Sequence, residues 1–287
     1  MMAHANGIEI AYESFGDPSA EPLLLVMGLG AQMFGWDDEF CEELASHGYW
    51  VIRYDNRDVG RSTRFREAGI VNVMALMQGA ALEVPYKLHE MATDAVGLLD
   101  ALGIEKAHVV GASMGGMISQ MMAIHYPERL HTLTSIMSTT GDRTLPPGKP
   151  EAMSVLFTAG PTEREGHIQH SVQVSHVLSG TGFAFDTERV IKRIELGYEA
   201  GLSPDGTNRQ LAAIIASGSR REALQSVDIP TLVIHGDEDP LVLIEGGIDT
   251  AEAIPGAELM IIPGMGHALP MGAWPQIVSA IVNHARM

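Results

Sequence analysis

Short apolar runs recur along the chain, and longer stretches between them return an apolar residue every three or four positions. Leu23, Leu24, Leu25, Val26 and Met27 form one continuous run that stops at a glycine. A strand covered on both faces reads this way, because neither side-chain direction meets water. Similar runs stand at 50–54, 107–110, 231–234 and 259–262, with a weaker one at 133–137. Residues 8–14 alternate instead and follow an Asn6-Gly7 turn, which predicts an antiparallel edge strand. Helix-length segments occupy 34–47, 88–102, 116–125, 246–253 and 273–285. Strands alternating with helices predict an α/β fold, a mostly parallel sheet with helices on both faces.

The rhythm breaks between 138 and 203. Leu145-Pro146-Pro147-Gly148-Lys149-Pro150 reads as a linker, and the remainder is helical in character with no clear buried strand. The expected organisation is therefore a core of residues 1–137 and 204–287, with 138–203 inserted as a helical cap. Residues 207–217 return to the core, and 74–82 read as a second lid element.

Charge narrows the partners. A formal net charge of −18 over 287 residues repels nucleic acid and anionic membrane surfaces. The single cysteine, Cys41, rules out an internal disulfide and, without a cationic neighbour in sequence, reads as a buried structural thiol. The start, Met1-Met2-Ala3-His4-Ala5-Asn6-Gly7, lacks the basic and apolar regions of a secretory signal. No stretch approaches the roughly 20 apolar residues of a membrane span, so the cytoplasm is the expected location. Self-association into a homo-oligomer is left open.

Candidate chemistry gathers at the carboxyl ends of the predicted strands, where open α/β sheets carry their sites. Gly111-Ala112-Ser113-Met114-Gly115 lies between a strand and a helix, where small neighbours let a sharp turn lift a serine hydroxyl clear of the backbone. Asp239 follows the 231–234 run and His267 follows 259–262. A serine hydroxyl needs a base to take its proton. Imidazole supplies one near pH 7 and can return the proton to a leaving group. A carboxylate fixes the imidazole tautomer and stabilises its cation. Asp237 and Asp142 compete for the acid's place; Asp239 is preferred because the loop needs a few residues to reach towards His267. An oxyanion needs preorganised N–H donors. Met114, which opens the helix after the serine, and Leu29, in Gly28-Leu29-Gly30, are the candidates. Gly28, Phe34 and Trp36 are expected to wall a substrate pocket.

Two weaker patterns are set aside. Gly28-x-Gly30 lacks the third glycine of a dinucleotide loop, Met33 standing in its place. His167 and His170 share a helix face but have no third metal ligand near them in sequence. No metal and no organic cofactor are expected.

The order Ser, Asp, His and the elbow motif make the chain similar to the α/β-hydrolase superfamily from about Gly7 to His284. Tyr54-Asp55-Asn56-Arg57-Asp58-Val59-Gly60-Arg61-Ser62 resembles that superfamily's structural loop after the third core strand, with Asp58 where many relatives have glycine. Met27 replaces a histidine that helps shape the oxyanion loop in relatives. Leu24-Leu25-Val26-Met27-Gly28, Val51-Ile52-Arg53-Tyr54-Asp55, Gly60-Arg61-Ser62-Thr63 and Ile262-Pro263-Gly264-Met265-Gly266-His267-Ala268-Leu269-Pro270 resemble the aclacinomycin methylesterase group. The resemblance implies serine-dependent hydrolysis of a small-molecule carboxylic ester; general carboxylesterases share the same stretches. Perhydrolase or C–C bond hydrolase chemistry uses the same triad, and some receptors keep it on this scaffold without turnover.

Overall fold

The computed structural model describes residues 1–158 and 160–287. In chain order its elements are β1 (Met2–Ala5), β2 (Ile8–Phe15), β3 (Glu21–Val26), α1 (Asp38–Ser46), β4 (Tyr49–Tyr54), α2 (Val73–Met77), α3 (Leu88–Ala101), β5 (Ala107–Ala112), α4 (Met114–His125) and β6 (Leu130–Ile136). Then follow α5 (Pro150–Phe157), α6 (Arg164–Leu178), α7 (Thr187–Ala200), α8 (Pro204–Ser217), α9 (Arg221–Leu224), β7 (Thr231–Gly236), α10 (Ile244–Ala253), β8 (Glu258–Ile262) and α11 (Trp274–Ala285).

The strands form one sheet in the order β1-β2-β4-β3-β5-β6-β7-β8. β3 to β8 run parallel, while β1 and β2 join antiparallel. The continuous apolar runs have the expected cause. Leu23 and Leu25 enter a core shared with α1 and α11, whereas Leu24 and Val26 enter the opposite core with α3 and α4. Each face of β3 therefore meets a helix layer, and alternation has no polar side to report.

The edge expected at 8–14 is displaced by one strand. Asn6 and Gly7 both take positive φ, 49° and 76°, the backbone of a two-residue hairpin turn. That turn folds Met2–Ala5 back onto Ile8–Ala11, so β1 is the edge and β2 lies inside it.

Register sets the site. Val26 of β3 pairs with Gly111 of β5, Ala112 with Ile136 of β6, Ile136 with Ile234 of β7, and Gly236 with Ile262 of β8. The loops after β3, β5, β7 and β8 consequently leave the sheet along one edge. Helices α5 to α8 lie between β6 and β7, with prolines opening α5 and α8, where a missing N–H costs no helix bond. α6 and α7 carry no buried residue, while α8 buries Arg209, Gln210, Ala212 and Ala213. Of the 74–82 stretch only its start is helical: α2 sets Val73 and Leu76 against Ala212 of α8 and leaves Met74 and Met77 exposed. No helix is long and apolar enough, among the described residues, to cross a membrane.

Candidate active site

Ser113 occupies the turn between β5 and α4 with φ 55° and ψ −121°, a backbone that a non-glycine residue holds only when its surroundings enforce it. Its neighbours do so. A Cβ on Gly115 would lie 2.0 Å from the Val26 carbonyl oxygen, and one on Gly111 would lie 2.2 Å from the Gly115 carbonyl oxygen. The Ser113 N–H donates to Ile136 O at 2.9 Å, and the Ser138 hydroxyl donates to Ser113 O at 2.8 Å.

His267 Nε2 lies 2.9 Å from Ser113 Oγ, and its Nδ1 lies 2.7 Å from Asp239 Oδ2. The carboxylate can only accept, so Nδ1 carries the proton and Nε2 is free to accept from the serine hydroxyl. Asp239 is buried, and its Oδ1 accepts from the Leu241 and Val242 amides, each at 2.9 Å. His235, behind it, donates from Nε2 to the Val242 carbonyl at 2.8 Å; burial lowers its pKa and favours the neutral ring. The competing acids are engaged elsewhere: Asp237 accepts from Gly264 N at 2.6 Å, and Asp142 binds Thr144.

The loop after β3 lies against the serine, with a Cβ on Gly28 placed 3.1 Å from Ser113 Cβ. The Leu29 and Met114 amides have no hydrogen-bond partner among the described residues. The loop is held from three sides. Asn56 donates to Met27 O at 2.9 Å, Asp55 accepts from Met33 N at 2.8 Å, and Gln210 of α8 accepts from Gly30 N at 2.8 Å. Asn56 falls in the loop whose tying role was legible, whereas nothing in the sequence singles out Gln210. Asp58 explains its departure from glycine: it keeps the positive φ of 72° while its carboxylate pairs with Arg209.

A cavity of about 970 Å³ opens over Ser113 and His267, lined also by Gly28, Leu29 and Met114. Phe34 and Trp36 do not line it, which corrects the expected wall. A 3-10 turn at Met33–Gly35 redirects the chain, so Trp36 is buried with its ring 5.6 Å from Phe40, and Phe34 faces the Arg53 guanidinium at 5.5 Å. Side chains of the β6–β7 insertion, among them Phe183, Phe185 and Leu178, line the cavity with Met117 and Met153.

Sheet order, elbow and convergent strand-end loops define an α/β hydrolase. The chain belongs to the alpha/beta hydrolase fold family, whose model matches residues 21–272. It is 32% identical to the rhodomycin D methylesterase DauP of Streptomyces sp. strain C5, over 96% of this chain and 94% of that one. It is 30% identical to a 2-hydroxymuconate semialdehyde hydrolase of Pseudomonas putida, over 65% of this chain and 62% of that one. Among solved structures, the esterase EaEST from Exiguobacterium antarcticum superposes with a TM-score of 0.78 at 19% identity, covering 100% of this chain and 99% of the other.

Proposed function

We propose that this protein is a carboxylic-ester hydrolase that works through an acyl-serine intermediate. The observation that carries the reading is the unbroken line from Asp239 through His267 to Ser113, opening into a cavity. Ser113 Oγ attacks the ester carbonyl carbon while His267 Nε2 takes the hydroxyl proton. The Leu29 and Met114 amides receive the developing oxyanion. The C–O bond to the alcohol breaks as His267 protonates the departing oxygen. Water then attacks the acyl carbon, again losing its proton to His267, and Ser113 leaves with its proton restored. The chemistry requires neither metal nor organic cofactor.

Residues 138–203 act as the cap that selects the acid part of the substrate. The cavity, at about 970 Å³, is at the upper end of small-molecule sites. Together with the likeness to a rhodomycin D methylesterase, it favours a methyl ester of a bulky, largely apolar acid over a small aliphatic ester. C–C bond hydrolysis is the second reading, favoured by the likeness to the semialdehyde hydrolase.

A panel of methyl and p-nitrophenyl esters of increasing acyl bulk tests both readings, with stopped-flow detection of an acyl-enzyme burst. The esterase reading expects turnover of the panel, with kcat/KM rising towards bulky acids. Absence of burst and turnover, alongside C–C cleavage of 2-hydroxymuconate semialdehyde, would transfer the chain to the second reading.

A further inference from the structure

The loops that carry Asp239 and His267 are both held directly by the main chain of the β6–β7 insertion. The Lys149 N–H donates to Pro240 O at 2.7 Å, next to the turn that holds Asp239. The hold on His267 is closer. Its own N–H donates to Leu178 O at 2.7 Å, and Gly182 N–H donates to Gly264 O at 2.9 Å. Residues 178–182, the last residue of α6 and the first part of its link to α7, thus lie along 264–267 as a strap of main chain on main chain.

Side chains are excluded from this contact. A Cβ on Gly180 would stand 2.2 Å from Gly264 O and 2.6 Å from Gly266 N, and one on Gly182 would stand 2.7 Å from Gly264 Cα. From the opposite side, a Cβ on Gly266 would stand 2.3 Å from Gly180 N. Backbone atoms cannot swing aside as a flexible side-chain end can, so glycine is required on both partners. Glu238 pins the strap from below, accepting from Thr181 N at 2.6 Å and from Thr181 Oγ1 at 2.9 Å. Its own N–H donates to Met265 O at 3.1 Å. A charged tie elsewhere between the insertion and the core is of a different kind: Arg189 meets Glu39 at 3.0 Å through partly exposed, adaptable side chains.

From this contact we infer that the strap 178–182 is part of the hydrolytic machinery, its backbone positioning the base His267, rather than only a wall of the cavity. Leu178, Gly180 and Gly182 are positioning residues: they touch no reacting atom, yet they fix the height and direction of the loop that presents Nε2 to Ser113. The inference rests on the esterase reading above. It implies that the strap stays seated through the cycle and that substrate enters past other parts of the cap.

Gly180→Ala tests it, assayed on p-nitrophenyl acetate, too small to span the cavity, and on a bulky methyl ester. A misplacement of about 1 Å costs about 100-fold in rate. The expected result is a fall in kcat of about that size on both esters, with KM for the small ester within about twofold. Fluorophosphonate labelling of Ser113 slows in parallel, and the far-downfield proton resonance of His267 Nδ1–H shifts or broadens. Glu238→Ala, which adds no bulk, covers the case in which Gly180→Ala does not fold; it loses about tenfold in kcat, and Glu238→Gln, which keeps an acceptor, recovers most of it. A strap that only shapes the cavity would change KM for the bulky ester and leave the small ester at full kcat; that result in folded Gly180→Ala or Glu238→Ala overturns the inference. If the unaltered protein neither labels nor turns over any ester, the esterase reading itself fails, an outcome separate from loss confined to the variants.

Discussion

Asp239 holds His267 Nδ1 at 2.7 Å through one carboxylate oxygen while the Leu241 and Val242 amides hold the other. The acid is thereby oriented from both ends, and the imidazole inherits a single tautomer. Asp239→Asn keeps the shape and the amide contacts, but places an N–H₂ where the ring needs an acceptor. The flipped tautomer would direct a proton at Ser113. Turnover should fall about 10⁴-fold. Asp237→Asn, whose oxygen serves only Gly264, should stay within about threefold, since isolated hydrogen bonds at exposed sites contribute about 1 kcal/mol or less. Steady-state assays of the two variants side by side check this; equal losses would reassign the acid.

Ser113→Ala should remove nearly all turnover, about 10⁴-fold or more, because among the described residues no other hydroxyl is hydrogen-bonded to His267 Nε2. The backbone there is enforced by Gly111, Gly115 and the Ser138 hydrogen bond rather than by the serine side chain. The melting temperature should therefore change little. Circular dichroism and ester assays on the same preparation check both halves; substantial remaining hydrolysis would sink the nucleophile assignment.

What was legible in the sequence follows from where the information is local. Strands β3, β5 and β7 announce themselves because both faces are covered, so the runs 23–26, 107–110 and 231–234 are apolar apart from His108 and Thr231 and show no alternation. Ser113, Asp239 and His267 could be located because each follows such a run. The Phe34 and Trp36 expectation failed because proximity along the chain does not fix direction, and one 3-10 turn reversed it. β1 was invisible because its four residues, Met2–Ala5, acquire strand character only by pairing across the Asn6-Gly7 turn. Gln210 and the strap glycines act on residues 180 and about 80 positions away, a separation no local pattern encodes.

Arg209 forms two hydrogen bonds with Asp58, at 2.8 and 2.6 Å, and Tyr86 adds a third at 2.7 Å, with both charged side chains buried. Burial pushes the Asp58 carboxyl up, yet Arg209, Tyr86 and the Phe65 amide outweigh it and hold the group below its ordinary value. Arg209→Met removes the cation and leaves the carboxylate buried. The expected loss is about 3–5 kcal/mol of unfolding free energy in urea. The double variant Arg209→Met, Asp58→Asn should recover part of it, because no charge then remains uncompensated. A single variant as stable as the parent would show that the pair contributes nothing.

Acid should weaken the fold before the carboxylates titrate. Burial lowers the pKa of His108, His235 and His284 below the ordinary histidine value. In the unfolded chain each regains a value of about 6.5. As pH falls through that point the unfolded state takes up protons that the folded state refuses, so the equilibrium moves towards unfolding. The stabilising contribution is complete above about 6.5 and is lost progressively down to each folded value. His284 isolates one share: its Nε2 donates to Pro230 O at 3.1 Å, between α11 and the residue before β7, on elements that carry no part of the proposed line. Urea unfolding at intervals from pH 8 to 5.5 should show stability declining below about 6.5, and His284→Gln should decline with a shallower slope. A variant slope equal to the parent's would show that His284 titrates alike in both states, whatever its burial.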